Sequence, residues 1–307
     1  MYDCIIIGGG PAGAAAAVYA ARKKLKALFI AESIGGQSVV SESIENWIGE
    51  KSISGFDLGK KLEDHVRAQE GIDIKVSERV TAVAEDGDGF SVTSASGTTY
   101  QAKTVLVVTG GRRRKLNVPG EDAFLGKGVA YCATCDAPLF RGKDVAVVGG
   151  GNAALEAVVD LLHYATHVYL LVRSGELKGD AITQQEIKNS PNTTVLMNTK
   201  VAEITGDKFV RGLTCINSAT GEEKKLDLSG VFIEIGSVPN AELVKELVSV
   251  NEMGEIITDA RTGMTSKKGI WAAGDVADGL YKQNNIAAGD AVKAILSIYA
   301  YLVKKEK

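Results

Sequence analysis

The stretch Asp3-Cys-Ile-Ile-Ile-Gly-Gly-Gly-Pro-Ala-Gly13 decides the fold of this chain. An apolar β-type run, Asp3–Ile7, leads into three glycines, and the alanine-rich segment after them predicts a helix from about Pro11 to Lys24. Leu25–Ala31 is predicted as a second strand, which ends at Glu32. In this strand, turn and helix context the glycines let the backbone approach a pyrophosphate at the helix N-terminus. The sequence therefore predicts a dinucleotide-binding domain at the start of the chain.

The same order of elements returns 141 residues after Gly8. Asp144–Val148 is an apolar run, Gly149-Gly-Gly-Asn-Ala-Ala154 follows it, a helix is predicted from about Ala153 to His163, and Val168–Val172 is the next strand. Two fingerprints in full context are far stronger evidence than one. They predict an α/β protein with two Rossmann-like (three-layer ββα) dinucleotide-binding domains. Further strands are predicted over Val195–Thr205, Phe209–Asn217 and Gly230–Ile235.

The end of the chain indicates how the two domains are connected. Gly269–Asp275 is an apolar strand that ends in Gly-Asp, and a helix is predicted from about Asn285 to Lys304. This pair most simply returns to complete the first domain, so that the second domain is an insertion. We assign 1–116 and 245–307 to the first domain and 117–244 to the second.

The residue that closes the second strand of each half bears on the nucleotide. Glu32 stands 24 residues after Gly8, where a carboxylate can accept a hydrogen bond from the ribose 2′-hydroxyl of FAD or NAD. At the same offset from Gly149 stands Arg173, with Lys178 shortly after it. A guanidinium there favours a 2′-phosphate, and hence NADPH over NADH. The alternative is that Arg173 is an ordinary exposed residue at a strand end.

Cys132-Ala-Thr-Cys135-Asp136 precedes the second fingerprint. A Cys-x-x-Cys pair alone is a redox dithiol, half of a zinc site, or two unrelated thiols. Because it lies between two dinucleotide signatures, it predicts an electron route from one cofactor, through a second, to a disulfide. We predict no metal site, and we expect Cys4 and Cys215 to be packing thiols. The other candidate ligands show no zinc-ligand spacing: Cys4, Cys215, His65, His163 and His167.

The bulk composition excludes several classes of protein. The chain has 307 residues, of which 45% are hydrophobic and 24% charged, so it can bury the cores of two soluble domains. A net charge of −3 gives no reason to expect a nucleic-acid or anionic-membrane partner. Four cysteines are too few for a disulfide-stapled secreted scaffold, and Met1–Ile7 runs straight into glycines without the charged and apolar regions of a signal peptide, so we expect a cytoplasmic protein. The basic run Arg112–Lys115 is either a solvated linker face or a docking or phosphate-contacting patch.

These motifs together resemble the low-molecular-weight thioredoxin reductases and the flavoprotein of alkyl hydroperoxide reductase, over essentially the whole chain. We expect a chain without that flavoprotein's N-terminal thioredoxin-like module, since the sequence begins at the first nucleotide-binding strand. The resemblance is carried, besides the two fingerprints and the Cys-x-x-Cys-Asp segment, by Gly35-Gly-Gln37, Glu45-Asn46, Thr109-Gly110, Val118-Pro-Gly-Glu121, Ala273-Gly-Asp275 and Tyr281-Lys-Gln283.

The resemblance implies FAD in the first domain, a nicotinamide nucleotide in the second, and a homodimer. The implied partner is a thioredoxin or a thioredoxin- or glutaredoxin-like protein. The cofactor contacts that follow from the fingerprints and the resemblance are Gly8, Gly10, Gly13, Glu32, Gln37, Asn46, Thr109, Asp275 and Gln283 in the first domain, and Gly149, Gly151, Asn152, Arg173 and Lys178 in the second.

The resemblance also implies roles for the dithiol. Cys135 is then the thiol on the flavin side, and Cys132 the thiol that attacks the substrate disulfide. Asp136 is the nearest acid or base for the proton, although a helix cap or plain solvation would also explain an aspartate there. Arg173 lacks most of the phosphate clamp of thioredoxin reductases, and we find no acid at this strand end. Two alternatives stay open: a donor other than NADPH, such as ferredoxin, and a non-enzymatic flavin redox sensor.

Overall fold

The computed structural model of the chain describes residues 1–41 and 43–305, which form two compact units. The first unit comprises Met1–Glu42, Trp47–Arg112 and Val238–Lys307, and the second comprises Ser43–Asn46 and Arg113–Ser237.

The strands are β1 (Tyr2–Ile7), β2 (Ala27–Ala31), β3 (Ile72–Val76), β4 (Val80–Asp86), β5 (Gly89–Ser94), β6 (Thr99–Val107), β7 (Gly111–Arg113), β8 (Val129–Ala130), β9 (Asp144–Val148), β10 (His167–Leu171), β11 (Thr193–Leu196), β12 (Thr199–Gly206), β13 (Val210–Asn217), β14 (Glu223–Asp227), β15 (Gly230–Ile233), β16 (Ser237–Pro239) and β17 (Ile270–Ala272). The α-helices are α1 (Pro11–Arg22), α2 (Gly55–Arg67), α3 (Ala133–Asp136), α4 (Asn152–Leu162), α5 (Ala181–Asn189) and α6 (Asn284–Lys305).

The first unit is built on a seven-stranded sheet. Its parallel part runs β3-β2-β1-β6-β17, and β5 and β4 extend it as an antiparallel meander from β6. Strand β17 pairs with the second half of β6, with Trp271 opposite Leu106. The prediction that the end of the chain returns to complete the first domain is therefore confirmed.

Alternation along β1 explains the layers of the first unit. Cys4 and Ile6 lie in a core that contains the apolar sides of α1 and α6. Ile5 and Ile7 lie in a second core on the opposite face of the sheet, together with Phe90 of the meander. Successive side chains of a strand point to opposite faces, so one apolar strand supports both cores.

Helix α6 is, within the described ranges, long and apolar enough to cross a membrane by length and composition alone, over Asn284–Lys304. The core helix of a soluble protein passes the same test. Ala291, Ile295 and Ile298 are completely buried in the core that α6 shares with α1. These contacts account for apolar residues along the helix.

The second unit has the same layered plan. Its parallel sheet has the order β11-β10-β9-β15-β8, and β12-β13-β14 form a separate antiparallel sheet. On β9, Val145 and Val147 face the core that contains α4, whereas Ala146 and Val148 face the core that contains the antiparallel strands. Helices, parallel sheet and antiparallel sheet thus form three layers, and the predicted fold class of two Rossmann-like domains is confirmed.

One predicted strand is wrong. Val195–Thr205 is two strands, β11 and β12, because the chain turns at Asn198 with a φ of 53°. Asparagine tolerates this left-handed conformation better than most residues. Helix α5 was not predicted, and its N-cap Asp180 accepts the backbone N–H groups of Ile182 and Thr183.

Candidate functional site

A cavity of about 770 Å³ opens in the first unit beside the N-terminus of α1. This volume lies within the range of small-molecule and cofactor sites. Six of the predicted cofactor contacts line it: Gly8, Gly10, Glu32, Gln37, Thr109 and Asp275.

The backbone at the start of α1 is shaped for close approach. Gly8 has a φ of +127°, and a Cβ there would lie 2.3 Å from the carbonyl oxygen of Val108. Helix α1 begins at Pro11 and has Gly10 as its N-cap, without a side-chain hydrogen bond to the first turn. A phosphate can therefore accept hydrogen bonds from the first-turn N–H groups, and the residues present fit a dinucleotide.

Three predicted FAD contacts are not among the residues that line this cavity. A Cβ on Gly13 would lie 1.9 Å from the carbonyl oxygen of Gly8, so this glycine allows the helix to pack closely on the turn. Asn46 belongs to the segment grouped with the second unit, and Gln283 directly precedes α6. Their contact with FAD stays a prediction.

Other residues that line the cavity are not among the predicted site residues. Glu78, Arg79 and Thr81 come from the connection between β3 and β4 and from the start of β4. They belong to no motif, and only the strand order brings them to the carboxyl end of β2. A sequence pattern offers no signal for such residues.

The second glycine loop is formed at the carboxyl end of β9. Gly149 has a φ of +154°, and a Cβ there would lie 2.3 Å from the carbonyl oxygen of Glu234. A Cβ on Gly151 would meet nothing within 4 Å, although this residue is the N-cap of α4. The loop therefore leaves open space at the helix N-terminus, where the fingerprint predicts a pyrophosphate.

The segment after β10 folds back over this loop. The backbone N–H of Lys178 donates to the carbonyl oxygen of Gly150 at 2.7 Å, and Asn152 Oδ1 accepts the backbone N–H of Asp180 at 2.7 Å. Asn152 thus holds the loop through its side chain. Arg173 and Lys178 are both exposed.

Glu176 is an acidic residue of the segment that follows β10. It is exposed and lies in the same returning segment, between Arg173 and Lys178. Its backbone carbonyl is within 4.0 Å of the position that a Cβ on Gly150 would take. The backbone of Glu176 therefore lies near the second glycine loop.

The cysteines of the Cys-x-x-Cys segment form a disulfide, Cys132–Cys135, with their Cα atoms 5.3 Å apart. They lie on α3, of which Cys132 is the N-cap and Asp136 the last residue. The side chains of both cysteines and of Asp136 are partly exposed. The predicted catalytic residues therefore share one short turn of helix.

A buried carboxylate anchors the chain just before this turn. Glu121 is 2% exposed, and its carboxylate accepts the backbone N–H groups of Leu116 and Asn117 at 2.9 and 2.7 Å. It also accepts the hydroxyl of Tyr131 at 2.6 Å. Burial and this hydrogen bond raise the pKa of Tyr131 far above its ordinary value.

A second carboxyl group reaches the disulfide segment from the parallel sheet. Glu234 follows β15, and its Oε1 accepts the backbone N–H of Ala133 at 3.3 Å. Burial raises the pKa of Glu234 to about 7, although Arg113 and the bond from Ala133 oppose this. Glu234 was not predicted as a site residue, because 101 residues separate it from Ala133.

The remaining cysteines, Cys4 and Cys215, are free and buried. Burial raises the pKa of the Cys4 thiol to about 12 and also raises that of Cys215, so both are poor nucleophiles. Among residues 1–41 and 43–305, no group of three or more His, Cys, Asp or Glu side chains is arranged to hold a metal ion.

The basic run is engaged in ion pairs within each unit. Arg112 pairs with Glu242 at 2.8 Å and donates to Asn240 Oδ1. Lys115 pairs with Asp122 at 2.6 Å. Arg112 also lines the cavity of the first unit, so the run contributes both to surface ion pairs and to a wall of that cavity.

Comparison with known proteins identifies the family of this chain. The family model described as pyridine nucleotide-disulphide oxidoreductase matches residues 2–291. The chain belongs to this family. Its fold is that of thioredoxin reductases: the solved thioredoxin reductase of Streptococcus pyogenes MGAS5005 is 36% identical, with a TM-score of 0.92 and 99% of both chains covered. That of Giardia duodenalis is 30% identical, with a TM-score of 0.91 and 98% and 99% covered.

Curated relatives within the family are longer proteins. A protein of Bacillus subtilis (strain 168) named NADH dehydrogenase is 45% identical over 303 residues. The F component of alkyl hydroperoxide reductase from Staphylococcus epidermidis is 40% identical over the same length. In both cases the match covers 99% of this chain and 59% of the relative, so the chain spans about three fifths of their length.

Membership in the family confirms the resemblance derived from the motifs. It implies FAD and a pyridine nucleotide as cofactors, and the Cys132–Cys135 disulfide is the redox pair of an oxidoreductase of this type. The two glycine loops and the disulfide turn are the parts of the chain that this chemistry requires.

Proposed function

We propose that this protein passes electrons from a nicotinamide nucleotide, through FAD, to the Cys132–Cys135 disulfide and then to the disulfide of a thioredoxin or a thioredoxin- or glutaredoxin-like protein. The observation that carries the proposal is the disulfide on a partly exposed helical turn of the unit that contains the second glycine loop. Partial exposure leaves this pair accessible to a protein partner, which a redox-active cysteine pair requires.

The first domain is the proposed FAD site. Gly8 and Gly10 admit the pyrophosphate to the N-terminus of α1, and Glu32 at the end of β2 accepts a ribose hydroxyl. FAD would supply two-electron transfer between the nicotinamide and the disulfide. Gln37, Thr109 and Asp275 line the rest of the cavity and orient the cofactor.

The second domain is the proposed nucleotide site, and we propose NADH as its preferred donor. Glu176 can accept the ribose 2′-hydroxyl of NADH and repels the 2′-phosphate of NADPH. The names of two relatives, NADH dehydrogenase from two organisms, support this choice. Arg173 favours NADPH instead, so the preference rests on the balance of the two side chains.

The thiols complete the reaction. In the reduced protein the Cys132 thiolate attacks a partner disulfide and forms a mixed disulfide, and one partner thiolate leaves and takes up a proton. Cys135 then attacks Cys132 Sγ, which restores the Cys132–Cys135 disulfide and releases the partner as a dithiol. Asp136 is the proposed proton donor, because it ends the helical turn that holds both cysteines.

Anaerobic titration tests the electron route. NADH, and more weakly NADPH, should bleach the flavin absorbance and generate two new thiols at Cys132 and Cys135. Cys132→Ser and Cys135→Ser should keep FAD and its bleaching, but should lose reduction of thioredoxin. If dithionite bleaches the flavin and neither nucleotide does, the nicotinamide part is wrong and another donor, such as ferredoxin, takes its place.

The partner is tested in the same assay. Purified thioredoxin, glutaredoxin and an isolated thioredoxin-like module should be reduced at different rates, and reduction of one of them identifies the partner class. If flavin and thiols are reduced but no protein disulfide is, the proposed transfer to a partner is wrong, and a redox sensor becomes the better explanation.

We also propose a homodimer in the cytoplasm. Ile48, Leu280 and Tyr281 of the first unit are 82%, 84% and 69% exposed. Ile48 and the segment after Tyr281 are close, since the Ile48 N–H donates to Asn285 Oδ1. Burial of such apolar side chains against a second copy would be favourable. Sedimentation of the purified protein tests the oligomeric state, and fractionation of cells tests the cytoplasmic location.

A further inference from the structure

Glu234 connects the parallel sheet of the second unit to the segment that holds the disulfide. Its backbone N–H donates to the carbonyl oxygen of Val148 at 2.9 Å, which fixes it beside the second glycine loop. Its side chain accepts the N–H of Ala133, the residue between Cys132 and the rest of the turn. Because the Cys132 side chain makes no cap hydrogen bond to α3, Glu234 supplies the acceptor instead.

The other charged groups that face this carboxyl come from three elements. Arg113 of β7 attracts a negative charge on Glu234, whereas Asp136 of α3 and Asp160 of α4 repel it. Asp160 is itself held at the turn, because its Oδ2 accepts the hydroxyl of Thr134 at 2.9 Å. Two aspartates of the disulfide segment and of α4 thus oppose a negative charge on Glu234, and Arg113 favours it.

We propose that Glu234 is a positioning residue for the Cys132–Cys135 pair, and that its charge couples reduction of this disulfide to uptake of a proton by the Glu234 carboxylate. The inference rests on the proposed function insofar as the disulfide exchanges electrons. Glu234 is then a group outside the Cys-x-x-Cys-Asp segment that influences the equilibrium between the disulfide and the dithiol.

The coupling follows from like-charge repulsion. Two electrons break the Sγ–Sγ bond, and one proton converts the products into one thiol and one thiolate. A thiolate close to a carboxylate favours the protonated form of that carboxyl group. Glu234 then takes up a second proton, so two electrons and two protons enter and the net charge of the site is unchanged. Burial already brings the pKa of Glu234 to about 7 in the disulfide form, which puts this uptake in the neutral range.

Equilibrium with glutathione tests the coupling without nucleotide or protein partner. Two glutathione molecules are oxidised to glutathione disulfide as the protein disulfide becomes a dithiol. The FAD-loaded protein is equilibrated at pH 6, 7 and 8.5, thiols are trapped by alkylation, and mass spectrometry of the peptide with Cys132 and Cys135 gives the reduced fraction. Failure of NADH to reduce the protein would count against the proposed function alone and leaves this measurement intact.

Glu234→Gln retains an oxygen that can accept the Ala133 N–H but removes the charge. At pH 8.5 the equilibrium constant for reduction of its disulfide by glutathione should exceed that of the natural protein by about tenfold. This is the effect expected if the charged carboxylate raises the pKa of the nearby thiol by about one unit. At pH 6 the two should agree within about twofold, since the carboxyl is then protonated. Glu223→Gln, an exposed glutamate on β14 of the same unit, is the matched control and should change neither value. If the ratio of the two equilibrium constants, Glu234→Gln over the natural protein, is the same from pH 6 to 8.5, the coupling is wrong.

Two measurements address positioning and folding. Hydrogen exchange of the Ala133 amide should be faster in Glu234→Ala than in Glu234→Gln, and equal exchange in both variants and the natural protein overturns the positioning role. Carbon-13 NMR of the Glu234 carboxyl in the natural protein requires no variant. Its titration midpoint must be higher in the dithiol form than in the disulfide form, and identical midpoints overturn the coupling.

Discussion

Tyr131 donates its hydroxyl to the buried carboxylate of Glu121 at 2.6 Å, and Tyr131 is the residue directly before Cys132 of the disulfide. The same carboxylate accepts two backbone N–H groups, from Leu116 and Asn117. One acid in the Val-Pro-Gly-Glu motif therefore fixes both the first residues of the second unit's main segment and the start of the disulfide turn.

Removal of this acid should destabilise the protein strongly. Glu121→Ala leaves two backbone donors and one hydroxyl without their acceptor, and we expect the free energy of unfolding to fall by about 3 kcal/mol. Tyr131→Phe removes one hydrogen bond and should cost about 1 kcal/mol. Urea unfolding measures both, with the exposed Glu223→Ala as a control. Equal losses in the Glu121 and Tyr131 variants would contradict the shared-acceptor arrangement.

Two glycines of the second loop should respond differently to an added methyl group. Gly149→Ala introduces a Cβ at 2.3 Å from a carbonyl oxygen at a φ of +154°, so it should lose about 2 kcal/mol or more of stability. Gly151→Ala points into open space and should unfold at almost the same urea concentration as the natural protein. It should nevertheless bind the nucleotide more weakly, which calorimetry can measure. Normal nucleotide affinity in Gly151→Ala would remove this loop from the site.

The pH dependence of stability should reveal Glu234. A pKa raised from 4.5 to about 7 by folding means that the folded state binds the proton more tightly. The stabilising effect of protonation is complete below about pH 4.5 and is lost as the pH rises through 7. We therefore compare the free energies of unfolding of Glu234→Gln and of the natural protein at two pH values. From pH 4.5 to pH 8.5 the difference between them should shift in favour of Glu234→Gln by on the order of 2 kcal/mol. Parallel stability curves for the two proteins would argue against the raised pKa.

The choice of nucleotide should depend on two side chains with opposite charges. Glu176→Gln removes the charge that repels a 2′-phosphate and should raise kcat/KM for NADPH relative to NADH by about tenfold. Arg173→Ala should shift the same ratio by a similar factor in the other direction. Steady-state kinetics with both nucleotides measures the ratios. Should neither variant move them, the returning loop does not contact the ribose.

Local patterns predicted the elements that contain the glycine loops, because hydrophobic periodicity and turn residues act over short distances. Asp144–Val148 is a strand with the predicted bounds, and the turn between β9 and α4 follows it as expected. The prediction was wrong at Asn198, because the β-type residues on both sides gave no sign of the left-handed residue that separates β11 from β12. Helix α5 could have been found from its N-cap, Asp180.

Only those site residues that belong to a sequence motif could be predicted. The dithiol and six cavity residues were named from sequence, whereas Glu78, Arg79 and Glu234 enter through strand order. Glu234 reaches Ala133 because β15 pairs with β9, and nothing in the sequence around either position indicates this contact. Such residues become visible only when the sheet is assembled.

The return of β17 and α6 to the first sheet has a consequence for biosynthesis. Every strand from β8 to β15 lies in one continuous stretch, so the inserted domain can fold while the ribosome is still translating the rest. The nascent first domain must wait until β17 is made, because until then β6 is paired with β1 on one edge only along Val105–Val107. During this interval its apolar strands are exposed to chaperones and to aggregation, and loss of roughly the last 40 residues would leave it permanently incomplete.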